Sequence, residues 1–147
     1  NNSFVNRSLH KNQLSGEIPV EIGNLSRLTR LELHGNKLHG KIPPEIGLIS
    51  NLTNLFLHRN QLSGEIPVEF GNLSLLTRLD LSENKLCGEI PPEIANLSEL
   101  ISMNLGSNKL SGEIPIQFEN IKKLRINISQ NYFTRAKTIP VNWSTAN

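Results

Sequence analysis

The sequence predicts an α/β solenoid: a right-handed superhelix of five to six 24-residue coils with a parallel sheet along its concave face. Three observations predict it. LSGEIP occurs at 14–19, 62–67 and 110–115, with LHGKIP at 38–43 and LCGEIP at 86–91. The asparagine two residues before each opens a frame at Asn12, Asn36, Asn60, Asn84 and Asn108, always 24 apart, and Asn131 follows after 23. Apolar residues recur in the same columns of each frame. A fixed period in this range marks stacked supersecondary units.

Each column has a physical task. Three residues before the asparagine stand Leu9, Leu33, Leu57, Leu81, Leu105 and Ile128; five before stand Leu31, Leu55, Leu79, Met103 and Ile126. Apolar residues two apart predict a short strand with one face inward, and such strands stack side by side at about 4.8 Å. The asparagine turns the chain inward. Its amide both donates and accepts, so it can satisfy backbone groups left unpaired at a buried turn. Leu14, Leu38, Leu62, Leu86 and Leu110 follow, and then the glycines Gly16 to Gly112, which permit close approach or positive φ. The Ile-Pro step holds its first residue extended and predicts a second short strand at its end. The PxEIGN stretch predicts a short helical turn, mostly closed by Gly23, Gly47 or Gly71. Columns headed by Ile18, Ile22, Leu25 and Leu28 complete an interior that no coil can bury alone.

The chain reads as one domain, 1–147, with a partial first repeat at 1–11, regular repeats over 12–131 and a degenerate C-terminal repeat or cap over 132–147. TRAKTIPVNWSTAN is a candidate polar cover, with Trp143 folding back over the last coil; a frayed tail is the alternative. An apolar content of 37% supports a core, and the net charge of +2 comes from dispersed Lys and Arg. A nucleic-acid partner is not expected, because phosphate binding needs a basic stripe. Without a run of 18 apolar residues, no membrane insertion by this segment is expected. The single cysteine, Cys87, permits no internal disulfide and sits in the serine column, on a polar edge.

The pattern LxxLxLxxNxLSGEIPxEIGNLSx closely resembles the leucine-rich repeat of the plant-specific type. Its L-x-G-x-I-P half distinguishes that class, and the resemblance covers nearly the whole chain. It implies a leucine-rich-repeat domain as in the ectodomains of plant receptor-like kinases and receptor-like proteins. Secreted inhibitors of fungal polygalacturonases share the pattern, as do some plant ice-active proteins. Family members normally carry cysteine-paired caps, which are absent here, and no transmembrane or kinase segment follows. The expectation is therefore a fragment of something larger or a truncated product.

Between the inward leucines lie residues predicted to face the concave surface. From N- to C-terminus they read Asn6, Ser8, His10 and Lys11; Arg30, Glu32, His34 and Gly35; Asn54, Phe56, His58 and Arg59. They continue Arg78, Asp80, Ser82 and Glu83; Ser102, Asn104, Gly106 and Ser107; Arg125, Asn127, Ser129 and Gln130. The scaffold columns barely change while these do, which is the pattern of a recognition surface on a rigid frame. The candidate ligand-binding residues are Arg30, Glu32, His34, Phe56, His58, Arg59, Arg78, Asp80 and Glu83. Phe56 leads, because aromatic anchors beside Arg mark interface centres. Asp80 and Glu83 either pair with Arg59 and Arg78 or receive a basic ligand group; pairing is the expectation. His10, His34 and His58 share one column. They are open to three readings: a zinc or copper row, a pH-sensitive row, or an inert product of repeat duplication. Receptors of this class also read a peptide's terminal carboxylate with two arginines two apart on one strand. Arg30-Leu31-Glu32 and Arg78-Leu79-Asp80 put an acid in the second place, which argues against that mode.

Asn-x-Ser/Thr sequons occur at Asn1, Asn6, Asn24, Asn51, Asn72, Asn96, Asn127 and Asn142. They favour a secreted glycoprotein with glycans at Asn24, Asn51, Asn72, Asn96 and Asn142. Asn6 and Asn127 lie on the concave face, where a glycan would obstruct a ligand. No nucleophile elbow or phosphate-cradling loop is present, so neither enzyme activity nor a cofactor is expected. The glutamate pairs four apart repeat with every coil and read as a solvated face. The expected function is extracellular recognition of a peptide or protein ligand, with or without a co-receptor. The alternatives are a polygalacturonase inhibitor and an ice-binding surface. The last needs a flat array of matched side chains, and no exposed column is uniformly Thr or Asn.

Overall fold

The computed structural model describes residues 5–134 and 143–144, and the side chains of 9–134. Two strands recur in each coil. They are β1 (Val5–Ser8), β2 (Ser15–Gly16), β3 (Leu28–Glu32), β4 (Lys37–Lys41), β5 (Asn54–Phe56), β6 (Gln61–Gly64) and β7 (Arg78–Asp80). The rest are β8 (Lys85–Gly88), β9 (Ser102–Asn104), β10 (Lys109–Gly112), β11 (Arg125–Asn127), β12 (Tyr132–Phe133) and β13 (Trp143–Ser144). Among the described residues the odd-numbered strands form one seven-stranded sheet, and the even-numbered strands form a second of six. Pairing is parallel, and the register advances by one coil per strand: Leu31 pairs with Leu55, Leu55 with Leu79, and Leu79 with Met103.

The strand columns lie inside as expected. Leu55, Leu57, Leu81 and Leu105 are fully buried, and Leu31, Leu79 and Met103 nearly so. Phe70 and Phe118 alternate with Ile46 and Ile94 in the column that fills the centre of the coil. The asparagines bind adjacent coils together. Asn60 Nδ2 donates to the carbonyls of Leu33 and Leu57 at 3.0 Å, and its Oδ1 accepts from the Leu38 N–H at 3.0 Å. Asn36, Asn84, Asn108 and Asn131 repeat this pattern. Each amide thus satisfies three backbone groups from two coils. The residue before each asparagine adopts a left-handed conformation: Lys11, Gly35, Arg59, Glu83, Ser107 and Gln130 have φ of 53–68°.

The expected short helical turns form, as 3₁₀ turns at Val20–Asn24, Pro44–Leu48, Val68–Asn72, Pro92–Asn96 and Ile116–Asn120, each started by the proline before it. Two local expectations are corrected. The second strand reads Lys-Leu-Cys-Gly in β8 and Lys-Leu-Ser-Gly in β10 and ends before the Ile-Pro step, whose proline has no N–H to give a ladder. Gly23, Gly47 and Gly71 do not close the turns; Leu25, Ile49 and Leu73 occupy the C-cap positions. Those glycines are needed for contact instead. A Cβ on Gly47 would stand 2.5 Å from the Glu69 carbonyl oxygen of the next coil.

β13 pairs with β11 through Ile126 and Asn127. The orientation of Trp143, the rest of the expected cover, and Asn142 lie outside the described residues.

Candidate functional site

The period-two alternation carries the intervening residues onto the open face of the first sheet. Arg30, Glu32 and His34 follow β3 into its turn; Phe56, His58 and Arg59 do the same on β5, and Arg78, Asp80 and Glu83 on β7. The candidate residues therefore form one surface, since Glu32, Phe56, Asp80 and Asn104 are register partners across four strands.

The histidines form a stack. The His10 and His34 rings lie 4.7 Å apart and the His34 and His58 rings 4.3 Å apart, tilted by only 4° and 9°. Phe56 presents an edge to both His34 and His58, at 6.3 Å and 6.2 Å. Phe56 is thus half-buried against the side of the His34–His58 stack rather than projecting freely. Parallel rings aim their nitrogen lone pairs in parallel, which suits no shared metal ion. Among the described residues, no group of three His, Cys, Asp or Glu is arranged to hold one.

Acids flank both ends of the stack. Glu32 Oε2 lies 3.9 Å from His10 Nδ1, and Asp80 Oδ2 lies 3.5 Å from His58 Nδ1. His34 sits between them, and its pKa is lowered, first by burial and then by the charges of His58, His10 and Lys11, against an opposing pull from Glu32. A native pKa below the unfolded value means that the unfolded chain binds more protons, so stability falls as pH drops through about 6.5. Raising the pH from 5.5 to 7.5 is expected to lift the melting temperature of the wild type more than that of His34→Gln. Parallel pH profiles for the two proteins would refute this.

The acids on the face are already engaged. Glu32 is 8% exposed, with Arg30 ion-paired to it, so it is a support for Arg30 rather than an open contact. Glu83 accepts from Arg59 Nε at 3.0 Å, matching the expected pairing. Asp80 Oδ1 accepts from the Ser82 N–H at 3.0 Å and the Ser82 hydroxyl at 2.6 Å. Asn104 Nδ2 lies 3.4 Å from the other Asp80 oxygen. Asp80 therefore makes no pair with Arg78, contrary to expectation. Sequence reasoning missed these roles of Ser82 and Asn104; their columns named them only as varied polar positions.

Three features lie off this surface. Asn24, Asn72 and Asn96 end 3₁₀ turns and are exposed; Asn51 is also exposed, three residues past its turn, with its Nδ2 donating to the Ser26 carbonyl at 2.8 Å. Cys87 is exposed and free, on the polar edge where its column put it. An apolar cavity of about 420 Å³, lined by Leu9, Leu14, Ile18, Ile22 and Leu33, opens at the N-terminal end of the stack. It lies inside the coil, away from the concave residues.

The leucine-rich-repeat model matches residues 27–49, 51–73, 75–97 and 99–121. The chain belongs to the leucine-rich-repeat family. Among solved structures it is similar to the ectodomain of the Arabidopsis thaliana receptor kinase GASSHO1/SCHENGEN3 in complex with CASPARIAN STRIP INTEGRITY FACTOR 2. That match has 40% identity and a TM-score of 0.79, covering 81% of this chain and 14% of that one. The ectodomain of the Arabidopsis thaliana receptor kinase SOBIR1 matches at 38% identity and a TM-score of 0.80, covering 86% of this chain and 70% of that one. A plant ice-binding protein matches at 42% identity and a TM-score of 0.78, covering 82% of this chain and 39% of that one. Comparison with curated proteins gives no match. The chain shares the leucine-rich-repeat fold of these structures and spans less than a fifth of the length of the first of them, and no helix among the described residues is long and apolar enough to cross a membrane.

Proposed function

We propose that this chain is an extracellular recognition module of the plant receptor-like-kinase type, binding a peptide or protein ligand, with or without a co-receptor, on its concave face. The observation that carries this reading is the contact between Phe56 and the histidine stack. An aromatic ring is held at a steep angle against two stacked imidazoles, on a sheet whose positions are set by the asparagine ladder. Rigid, half-exposed aromatic groups beside arginine suit interface centres, because little side-chain entropy is lost on binding. Similar ectodomains have been solved with peptide hormones bound, which supports the same use here. The exposed sequon asparagines accord with secretion and glycosylation. The arrangement calls for binding rather than catalysis.

The test is retention of an apoplastic protein or peptide by the immobilised domain. Wild type is expected to retain a partner that Phe56→Ala and Arg59→Ala lose by at least about tenfold, the loss typical of an interface hot spot. Equal retention by all three would refute the reading.

A second reading rests on a different edge. Ser26, Ser50, Ser74 and Ser98 are all exposed, and each backbone N–H reaches the carbonyl two residues back at 2.9–3.0 Å. This is a regular polar row of the kind an ice surface requires, on a chain similar to an ice-binding protein. Inhibition of ice recrystallisation that Ser50→Tyr with Ser74→Tyr abolishes would favour it; an inactive wild type would dismiss it.

A further inference from the structure

The histidine stack stops at His58. The Arg59 N–H donates to the Ser82 carbonyl at 3.0 Å and the Glu83 N–H to the Gly106 carbonyl at 2.9 Å, so Ser82 and Gly106 continue the histidine column into the next two coils. Neither carries a ring. Among the described residues no ring covers the face of His58 opposite His34. The ring spacings of 4.7 Å and 4.3 Å within the stack are close to the distance between neighbouring strands, about 4.8 Å. A planar group laid on that face therefore comes to rest over Ser82, where a fourth imidazole would stand.

The floor beneath that place is low, and its polar groups are paired. Asp80 and Asn104 continue the column that Phe56 occupies on β5, yet both bend back onto their own turns. Asp80 Oδ1 accepts from the Ser82 N–H at 3.0 Å and the Ser82 hydroxyl at 2.6 Å, and Asn104 Oδ1 accepts from the Gly106 N–H at 3.2 Å. Asn104 Nδ2 in turn donates to the Ser82 hydroxyl oxygen at 3.2 Å. A ring covering Ser82 and Gly106 leaves none of these groups without a partner. Asp80 Oδ2 is different. Its contacts with His58 Nδ1 and Asn104 Nδ2 are long, at 3.5 Å and 3.4 Å, so it retains room for a further donor. Covering that carboxylate with a ring that has no donor would be costly.

We propose that the free face of His58, with Ser82 beneath and Asp80 at its side, is a stacking site for a tryptophan side chain of the bound peptide or protein. The indole extends the imidazole stack by one ring and donates its N–H to Asp80 Oδ2. The proposal rests on the recognition reading and names one chemical group of its ligand. Tryptophan suits the place because it brings a large planar surface and a single donor with few rotatable bonds to freeze.

The probe is N-acetyl-tryptophanamide, titrated into the full chain at neutral pH while the ring protons of His58 are followed by NMR. They are expected to move upfield along one binding isotherm, because a stacked indole shields them. N-acetyl-phenylalaninamide is expected to bind about tenfold more weakly, the scale of one hydrogen bond to a charged group, and N-acetyl-leucinamide to give no upfield shift. Ser82→His fills the place with an imidazole and should abolish the response, whereas Ser26→His on the outer edge should leave it intact. Asp80→Asn keeps an oxygen for Ser82 but removes the charge, and should bring the tryptophan and phenylalanine probes to similar affinity. No upfield shift, an equal response to the leucine probe, or a shift that survives Ser82→His would overturn the site. So would an undiminished preference for tryptophan in Asp80→Asn, which decides the matter if Ser82→His does not fold. The two readings fail separately. Equal retention of a partner by wild type, Phe56→Ala and Arg59→Ala with an intact titration sinks only the recognition reading, and a partner lost by those variants with no titration sinks only this site.

Discussion

Asn60→Ala is expected to lower the free energy of unfolding by roughly 3–5 kcal/mol, measured as a shift in the urea midpoint. The side chain is 9% exposed and satisfies the Leu33 and Leu57 carbonyls and the Leu38 N–H. Truncation leaves the buried Leu38 N–H without its acceptor, at a cost of about 1–3 kcal/mol, and removes one of two donors from each carbonyl, at about 0.5–1.5 kcal/mol apiece; Asn36 still donates to Leu33 and Asn84 to Leu57. Asn60→Asp keeps the acceptor but replaces both donations with a buried charge facing carbonyls, so it should be at least as damaging. Asn131→Ala removes an equivalent set at the last regular coil, where less structure depends on it, and a smaller loss is expected. A change of less than about 1 kcal/mol at Asn60 would mean that the ladder is not what joins the coils.

Phe70→Ala is the second large effect, at about 3–5 kcal/mol. Phe70 is fully buried and stands where the neighbouring coils place Ile46 and Ile94. The cavity left behind would be walled by adjacent coils that are held apart by their own backbone pairing, so collapse around it is restricted. Phe70→Leu keeps most of the volume and should cost less than about 1.5 kcal/mol. Similar losses for Ala and Leu would indicate that the interior of the coil is not packed tightly around this ring.

The scaffold was legible because the chain states it five times. One leucine at a given position says little, but Leu33, Leu57, Leu81 and Leu105 at constant spacing leave the inward face in no doubt. The asparagine column could be read the same way, down to the turn it satisfies. What was not legible concerns contacts between coils. Gly47 looked like a helix terminator because glycine commonly ends helices, whereas its real constraint is the Glu69 carbonyl of the next coil. That constraint depends on how closely two turns approach, which no single repeat encodes. Ala95 and Glu119 occupy the equivalent places later in the chain, so the constraint does not extend to every coil.

On the concave face, the column assignments located every candidate residue, yet they did not predict its state. Arg30 and Arg78 have near-identical local contexts, Arg-Leu-Glu and Arg-Leu-Asp. One arginine is neutralised and the other free, because Asp80 is claimed by side chains from its own turn and from both adjacent coils. The histidine stack follows directly from register, so its existence could be foreseen. That acids flank its two ends depends on side-chain conformations that the register alone does not set.

The most direct test of the coil and its single outward wall is thiol labelling of single-cysteine variants in a Cys87→Ser background. Leu55→Cys, Phe56→Cys, Leu57→Cys and His58→Cys sample four consecutive positions, and Asp80→Cys and Asn104→Cys extend the outward set to the next two strands. The thiols at 56, 58, 80 and 104 are expected to react readily, and those at 55 and 57 only on unfolding. Comparable labelling at 55 and 56, or protection at 80 and 104, would contradict the fold and the surface built on it.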